Sequence, residues 1–231
     1  MRKLGDALRR VVAEGYEAEE GGAAKSVLMH PNRRRAFEYV AWHPCCTAGD
    51  VARALGVRDP TAAWHLAKLA EAGYTQEVLL RRGRVHHPAG LGLEPTEVAG
   101  LAALAEADAP RALALVLTTP GLTGAELAAK LERQTLRGPL RAMLASGLVV
   151  AVADGRYRRY YPGSVVAAME RTAPKRLRDF RRRLVRKLER DRLAPEMRVA
   201  PGGAVEIDVR FGDERATLRL PAESLLAGRL A

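Results

Sequence analysis

The side chains best equipped for chemistry in this sequence are cationic, and they fall in clusters. Arg81, Arg82 and Arg84 surround a glycine between two short β-type runs, 75–80 and 85–88. Arg156, Arg158 and Arg159 interleave with Tyr157, Tyr160 and Tyr161. Guanidinium groups on such turns suit phosphate oxygens or a narrow minor groove; the tyrosines suit strand packing. Arg33, Arg34 and Arg35 stand at a helix start, where the macrodipole disfavours cations. That placement makes sense if a polyanion lies close. A fourth group, Thr61, Ala63, Trp64 and Lys68, shares the outward side of a helix over 61–72. Thr61 and Lys68 can bond to phosphates or base edges, whereas Trp64 and Ala63 offer only apolar contact, for example to a thymine methyl. The set is poor in bidentate readers, so base discrimination is modest or leans on DNA shape.

Other chemistries find little support. The two cysteines, Cys45 and Cys46, are adjacent and cannot build a disulfide framework. With His43 nearby, and His86 and His87 further on, they raise a metal or thiol-redox reading. No Cys-x-x-Cys or His-x-x-x-His spacing accompanies them, and a turn between helices is the plainer account. His65 reads as a partly buried structural histidine. There is no phosphate-cradling glycine loop, no nucleophile elbow and no acid–base pair at useful spacing. The expectation is a protein that is not an enzyme and needs no cofactor.

Composition fits that view. The 231 residues carry a net charge of +11. Charge of that size argues for polyanion contact rather than for any fold. Double-stranded DNA is the leading partner and an anionic membrane surface the lesser one. No apolar run is long enough to span a bilayer, and no signal peptide is read, so the expected location is cytoplasmic and nucleoid-associated, with no membrane partner. Alanine, leucine and arginine dominate, which favours helices.

The elements that must position these groups follow from periodicity. A helix over 1–14 and a linker over 14–22 precede the first domain. A lead-in helix over 24–29 comes next, then a helix over 35–43 that ends before Pro44. Thr47 to Asp50 form a capping box for a third helix, which Gly56 closes. Ala62, Leu66, Leu69 and Gly73 mark the inner side of the 61–72 helix, and a hairpin with a basic tip follows. The helix pair with its short turn is a helix-turn-helix. A connecting helix covers 94–106. The pattern then repeats. Arg111-Ala112-Leu113 answers Arg35-Ala36-Phe37, Thr123 to Glu126 answers Thr47 to Asp50, and Leu140, Met143 and Gly147 answer Leu66, Leu69 and Gly73. Asp154-Gly155-Arg156 is the second hairpin's turn. Gly138-Pro139 occupies the places of Trp64-His65, so the second copy's third helix either starts near Pro139 or is kinked there. Beyond, a helix over 164–170 is interrupted at Thr172-Ala173-Pro174. An arginine-rich helix then runs to about residue 192, with Leu177, Phe180, Leu184 and Leu188 as an apolar seam. That seam forms a dimer interface, or packs on the second domain while the arginines face DNA, or both; an amphipathic membrane-surface helix is the lesser third reading. Alternating residues over 205–211 and 216–220 make a β-hairpin.

The segment from His65-Leu66 through Gly73 and its hairpin resembles the recognition half of winged helix-turn-helix regulators, the ArsR-like branch in particular. The repeat resembles tandem members of that type, an arrangement common in archaea. The resemblance covers residues 25–162 and implies a fold that is mainly α with small β-wings: two winged helix-turn-helix domains plus a C-terminal helix and β-hairpin. The boundaries are 1–22 for an arm and linker, 23–90 for the first winged helix, 91–106 for the connecting helix, 107–163 for the second winged helix, 164–193 for the basic helical segment and 194–231 for the extension. It implies a DNA-binding transcription regulator, acting as a homodimer, with the first winged helix as principal reader. The alternative is a tandem winged-helix scaffold whose wings bind protein, with structured-RNA binding a weaker third reading.

Overall fold

Pro31 opens the first helix, α1 (Pro31–Trp42), in the computed structural model, which describes residues 26–81 and 83–230. The helix expected over 1–14, its linker, and Arg82 lie outside the described residues. Of the lead-in helix, the described part is a 3-10 turn, Val27–Met29. The capping box before α2 (Ala48–Leu55) is formed: Asp50 N–H donates to Thr47 Oγ1 at 3.2 Å and Thr47 N–H to Asp50 Oδ2 at 2.9 Å. Gly56, at φ 71°, ends that helix, a conformation that costs glycine little. The next helix, α3 (Asp59–Glu71), begins two residues before Thr61, because Asp59 and Pro60 fit a first turn that has no N–H partners to lose. Strands β1 (Thr75–Leu80) and β2 (Gly83–Pro88) then pair antiparallel, turning between Leu80 and Gly83.

After a connecting helix, α4 (Pro95–Ala103), the same order recurs: α5 (Ala109–Thr118), α6 (Gly124–Lys130), α7 (Arg137–Ala145), β4 (Val149–Asp154) and β5 (Tyr157–Pro162). A two-residue strand, β3 (Leu122–Thr123), adds to β5 and gives the sheet order β3-β5-β4. The correspondence extends to backbone detail. Gly73 and Gly147 close α3 and α7 at φ 74° and 73°. Tyr74 N–H donates to Leu69 O at 2.8 Å, and Leu148 N–H to Met143 O at 3.0 Å. Ala89 N–H donates to Tyr74 O, and Gly163 N–H to Leu148 O. Pro139 does not kink α7. It is the third residue of that helix, and the first helical bond is Leu140 N–H to Leu136 O at 2.9 Å.

Two expectations about the C-terminal third need correction. Helix α8 (Ser164–Arg190) runs unbroken through Pro174. Its buried row of Val166, Met169, Ala173, Leu177, Phe180, Leu184 and Leu188 continues past the proline at steps of three and four. Packing along the whole helix outweighs one lost backbone bond. The expected hairpin is a three-stranded antiparallel meander: β6 (Glu196–Ala200), β7 (Ala204–Phe211) and β8 (Glu214–Pro221), followed by a short helix, α9 (Ala227–Leu230). Strand β6 went unread because four of its five residues are exposed, which leaves no inward apolar row to detect.

The core has two parts, and α8 belongs to both. Its first turns, Val166 and Met169, pack with α4–α7. Its remainder packs with α1–α3 and the C-terminal sheet. The apolar seam of Leu177, Phe180, Leu184 and Leu188 is therefore consumed within the chain, against the first region and the C-terminal sheet rather than the second domain, and is not a dimer interface. Trp42 Nε1 donates to Arg219 O at 2.9 Å, and Arg219 N–H donates to Glu38 Oε1 at 2.8 Å, so β8 is fastened to α1.

Candidate nucleic-acid interface

Helix α3 is fixed from its inner side, where Ala62, Leu66 and Leu69 are fully buried. His65 is 3% exposed and lies against the rings of His30 and Trp64, with centroids 5.2 and 5.0 Å away. Burial, helped by the charges of His30 and Arg33, pushes its pKa down to about 4. It is a neutral packing residue, as the sequence reading has it. On the outer side Ala63 is exposed, and Thr61, Trp64 and Lys68 are half-buried. Lys68 pairs with Glu71 at 2.9 Å. Asp59 stands in the first turn, where it complements the helix dipole but opposes an incoming phosphate.

The arginines divide sharply. Arg33 is 8% exposed and its guanidinium sits 5.6 Å over the Trp64 ring. That burial and ring contact support a packing role for Arg33 beside Trp64. Arg34 is half-buried, and Arg35 is exposed. On the first hairpin Arg81 and Arg84 are exposed, and Arg84 pairs with Glu77 at 2.7 Å. On the second, Arg156 and Arg158 are exposed. Arg156 lies 4.9 Å over the Tyr157 ring. Arg159 is held by Asp154 and donates to Gly121 O at 2.9 Å. The structure thus presents Arg81, Arg84, Arg156 and Arg158 to solvent.

Three sets of cations were missed or undervalued by sequence reasoning. Arg137 and Arg141 stand one turn apart on the exposed side of α7. Their four-residue spacing was visible, but reading Gly138-Pro139 as a break hid it. Arg35, exposed on α1, is not separable in the sequence from Arg33 and Arg34 beside it. On α8, Arg171, Lys175, Arg178, Arg182, Arg186 and Arg190 are exposed on the side opposite the apolar row. They form a basic stripe about 28 Å long at helical rise.

Cys45 and Cys46 are fully buried. Cys45 N–H donates to His86 O and His86 N–H to Cys46 O, both at 2.8 Å, so the pair ties the α1–α2 turn to β2. Burial pushes both thiols up to about 12, far from the thiolate that redox sensing needs. Among the described residues no group of three or more His, Cys, Asp or Glu side chains is placed to hold a metal. Also among them, no helix is long and apolar enough to cross a membrane.

Residues 28–73 match the model of a family described as a helix-turn-helix domain. The matched span holds α1, α2 and α3. No curated protein matches the chain. The helix-turn-helix match suggests DNA-binding regulation.

Proposed function

We propose that the chain is a DNA-binding transcription regulator of the winged-helix type, similar to the ArsR-like branch. The observation that carries this is the order of parts: a matched helix-turn-helix, α1–α3, followed at once by a β-hairpin with Arg81 and Arg84 exposed at and beside its tip. In winged helices the third helix enters the major groove and the hairpin touches backbone or minor groove. Thr61, Ala63, Trp64 and Lys68 face the groove in this reading, and Arg34, Arg81 and Arg84 meet phosphates. Residues 23–90 and 107–163 are two such domains, the second supported by the repeated capping box, the paired closing glycines and the repeated backbone bonds. Arg156, Arg158 and the α8 stripe add backbone contacts. A homodimer binds two half-sites about one helical turn apart, and the protein works in the cytoplasm on the nucleoid.

Titration of labelled duplex at rising salt tests this. The expected result is a steep linear fall of log affinity with log salt, losing about a thousandfold or more between ~50 and ~200 mM. A second reading, a scaffold whose wings bind protein, draws on the exposed Val150 and Val152 of edge strand β4. Recovery of one stoichiometric protein partner, with no duplex retained at physiological salt, would overturn the regulator in favour of the scaffold.

A further inference from the structure

Between α7, the start of α6 and the second hairpin lies an open cleft of about 530 Å³. Leu140, Leu144 and Tyr160 line it with apolar surface, and Arg137, Arg141 and Arg158 bring three guanidinium groups from two elements to the same opening. All three arginines are exposed. No ion pair joins any of them to a carboxylate among the described residues; Asp108 holds Arg111 and Arg133, Asp154 holds Arg159, and Glu126 accepts from Thr123 in its capping box. Gln134 and Thr135 stand at the same opening, just before α7 begins. The Glu106 carboxylate reaches the neighbourhood of Gly138, so the field there is not purely positive, but α7 itself carries no acidic residue.

We propose that this cleft is a second duplex-DNA site, and that α7 rather than α3 carries the stronger base-reading set. This rests on the reading of the chain as a DNA-binding protein. Arginine is the commonest specific reader of guanine, through a bidentate fork, and glutamine pairs in the same way with adenine. Arg137, Arg141 and Gln134 supply such groups. Of Thr61, Ala63, Trp64 and Lys68, only Lys68 can address a guanine edge in this way, as a point charge without a planar fork, and it is engaged by Glu71. Across their full lengths α3 carries Asp59, Glu71 and one lysine, whereas α7 carries two arginines and no acid. A duplex backbone meets less repulsion at α7, and a base edge meets better-shaped donors. Arg158 then holds the flanking phosphate from the hairpin.

The test is selection from a random-sequence duplex pool by the full chain, by R137A/R141A, by R137K/R141K and by T61A/K68A, with affinities for the winning and for random duplexes. Both arginines are exposed, so the thermal midpoint of the variants should match that of the parent. The expected result is that R137A/R141A loses roughly tenfold or more of its preference for the winning duplex, more than T61A/K68A loses. The lysine variant should recover binding to random duplex but not the preference, because lysine keeps the charge without the fork. If R137A/R141A selects the same sequence with the same preference, or weakens all duplexes equally, base reading by α7 is overturned while the chain remains a DNA-binding protein. If the parent retains no duplex, the broader reading falls and this one with it.

Discussion

The α1–β2 and α5–β5 regions share an element order, a capping box, a closing glycine and two backbone bonds, yet they present different surfaces. In the first, Arg33 stacks on Trp64, and Lys68, Arg84 and Arg53 pair at the surface with Glu71, Glu77 and Asp50, while Arg35 and Arg81 are exposed. In the second, Arg137, Arg141 and Arg158 remain turned outward. Only the first is matched as a helix-turn-helix. Detectable similarity follows the buried pattern and the turn lengths, whereas the exposed cations that the proposed DNA reading uses are ones a core pattern does not constrain.

Three perturbations test that contrast. The largest effect concerns the residue that follows each hairpin. Ala89 and Gly163 make equivalent backbone bonds, but a Cβ on Gly163 would lie 2.0 Å from Gly147 O. Gly163→Ala should cost about 3 kcal/mol in chemical denaturation, whereas Ala89→Gly should cost under about 1 kcal/mol. Equal, small costs would mean the two junctions are interchangeable.

Acid should separate the regions next. All five histidines, His30, His43, His65, His86 and His87, lie in the first region, as do both tryptophans, Trp42 and Trp64. Burial pushes His43 and His65 down from 6.5 to about 4 and lowers His86 and His87 as well. The folded form thus keeps these rings neutral where the unfolded chain protonates them. Their contribution to stability is complete above about pH 6.5 and is lost as the pH falls from there toward about 4. Tryptophan fluorescence should report earlier unfolding in mild acid, while amide exchange over 109–162 changes less. Uniform loss across both regions would contradict the asymmetry.

The smallest effect is expected at Pro139. Placed in the first turn of α7, it forfeits no helical bond. Pro139→Ala should therefore shift stability by less than about 1 kcal/mol, where relief of an interior proline would gain about 3 kcal/mol.

Much of this was legible in the chain itself. The inner row of α3, both hairpins, both capping boxes and the paired glycines follow from local spacing, because each element's signal lies within a few residues. The burial of His65 was legible for the same reason. What escaped reading depends on distant partners. Arg33 looks like any helix-start arginine until Trp64 is brought beneath it. The continuity of α8 across Pro174 is decided by two cores packing on one row. Strand β6 is held by pairing with β7, not by an apolar side of its own. Arg137 and Arg141 were obscured by a proline whose cost depends on whether it falls in a first turn or an interior one.

The central claim, that this chain binds duplex DNA with sequence preference, is tested most directly by the parent protein's own selection from random duplexes. The account predicts an enriched sequence held about a thousandfold or more tighter than random DNA, arranged as an inverted repeat if the homodimer forms. A pool that emerges unenriched, with winning and random duplexes bound equally, would contradict it.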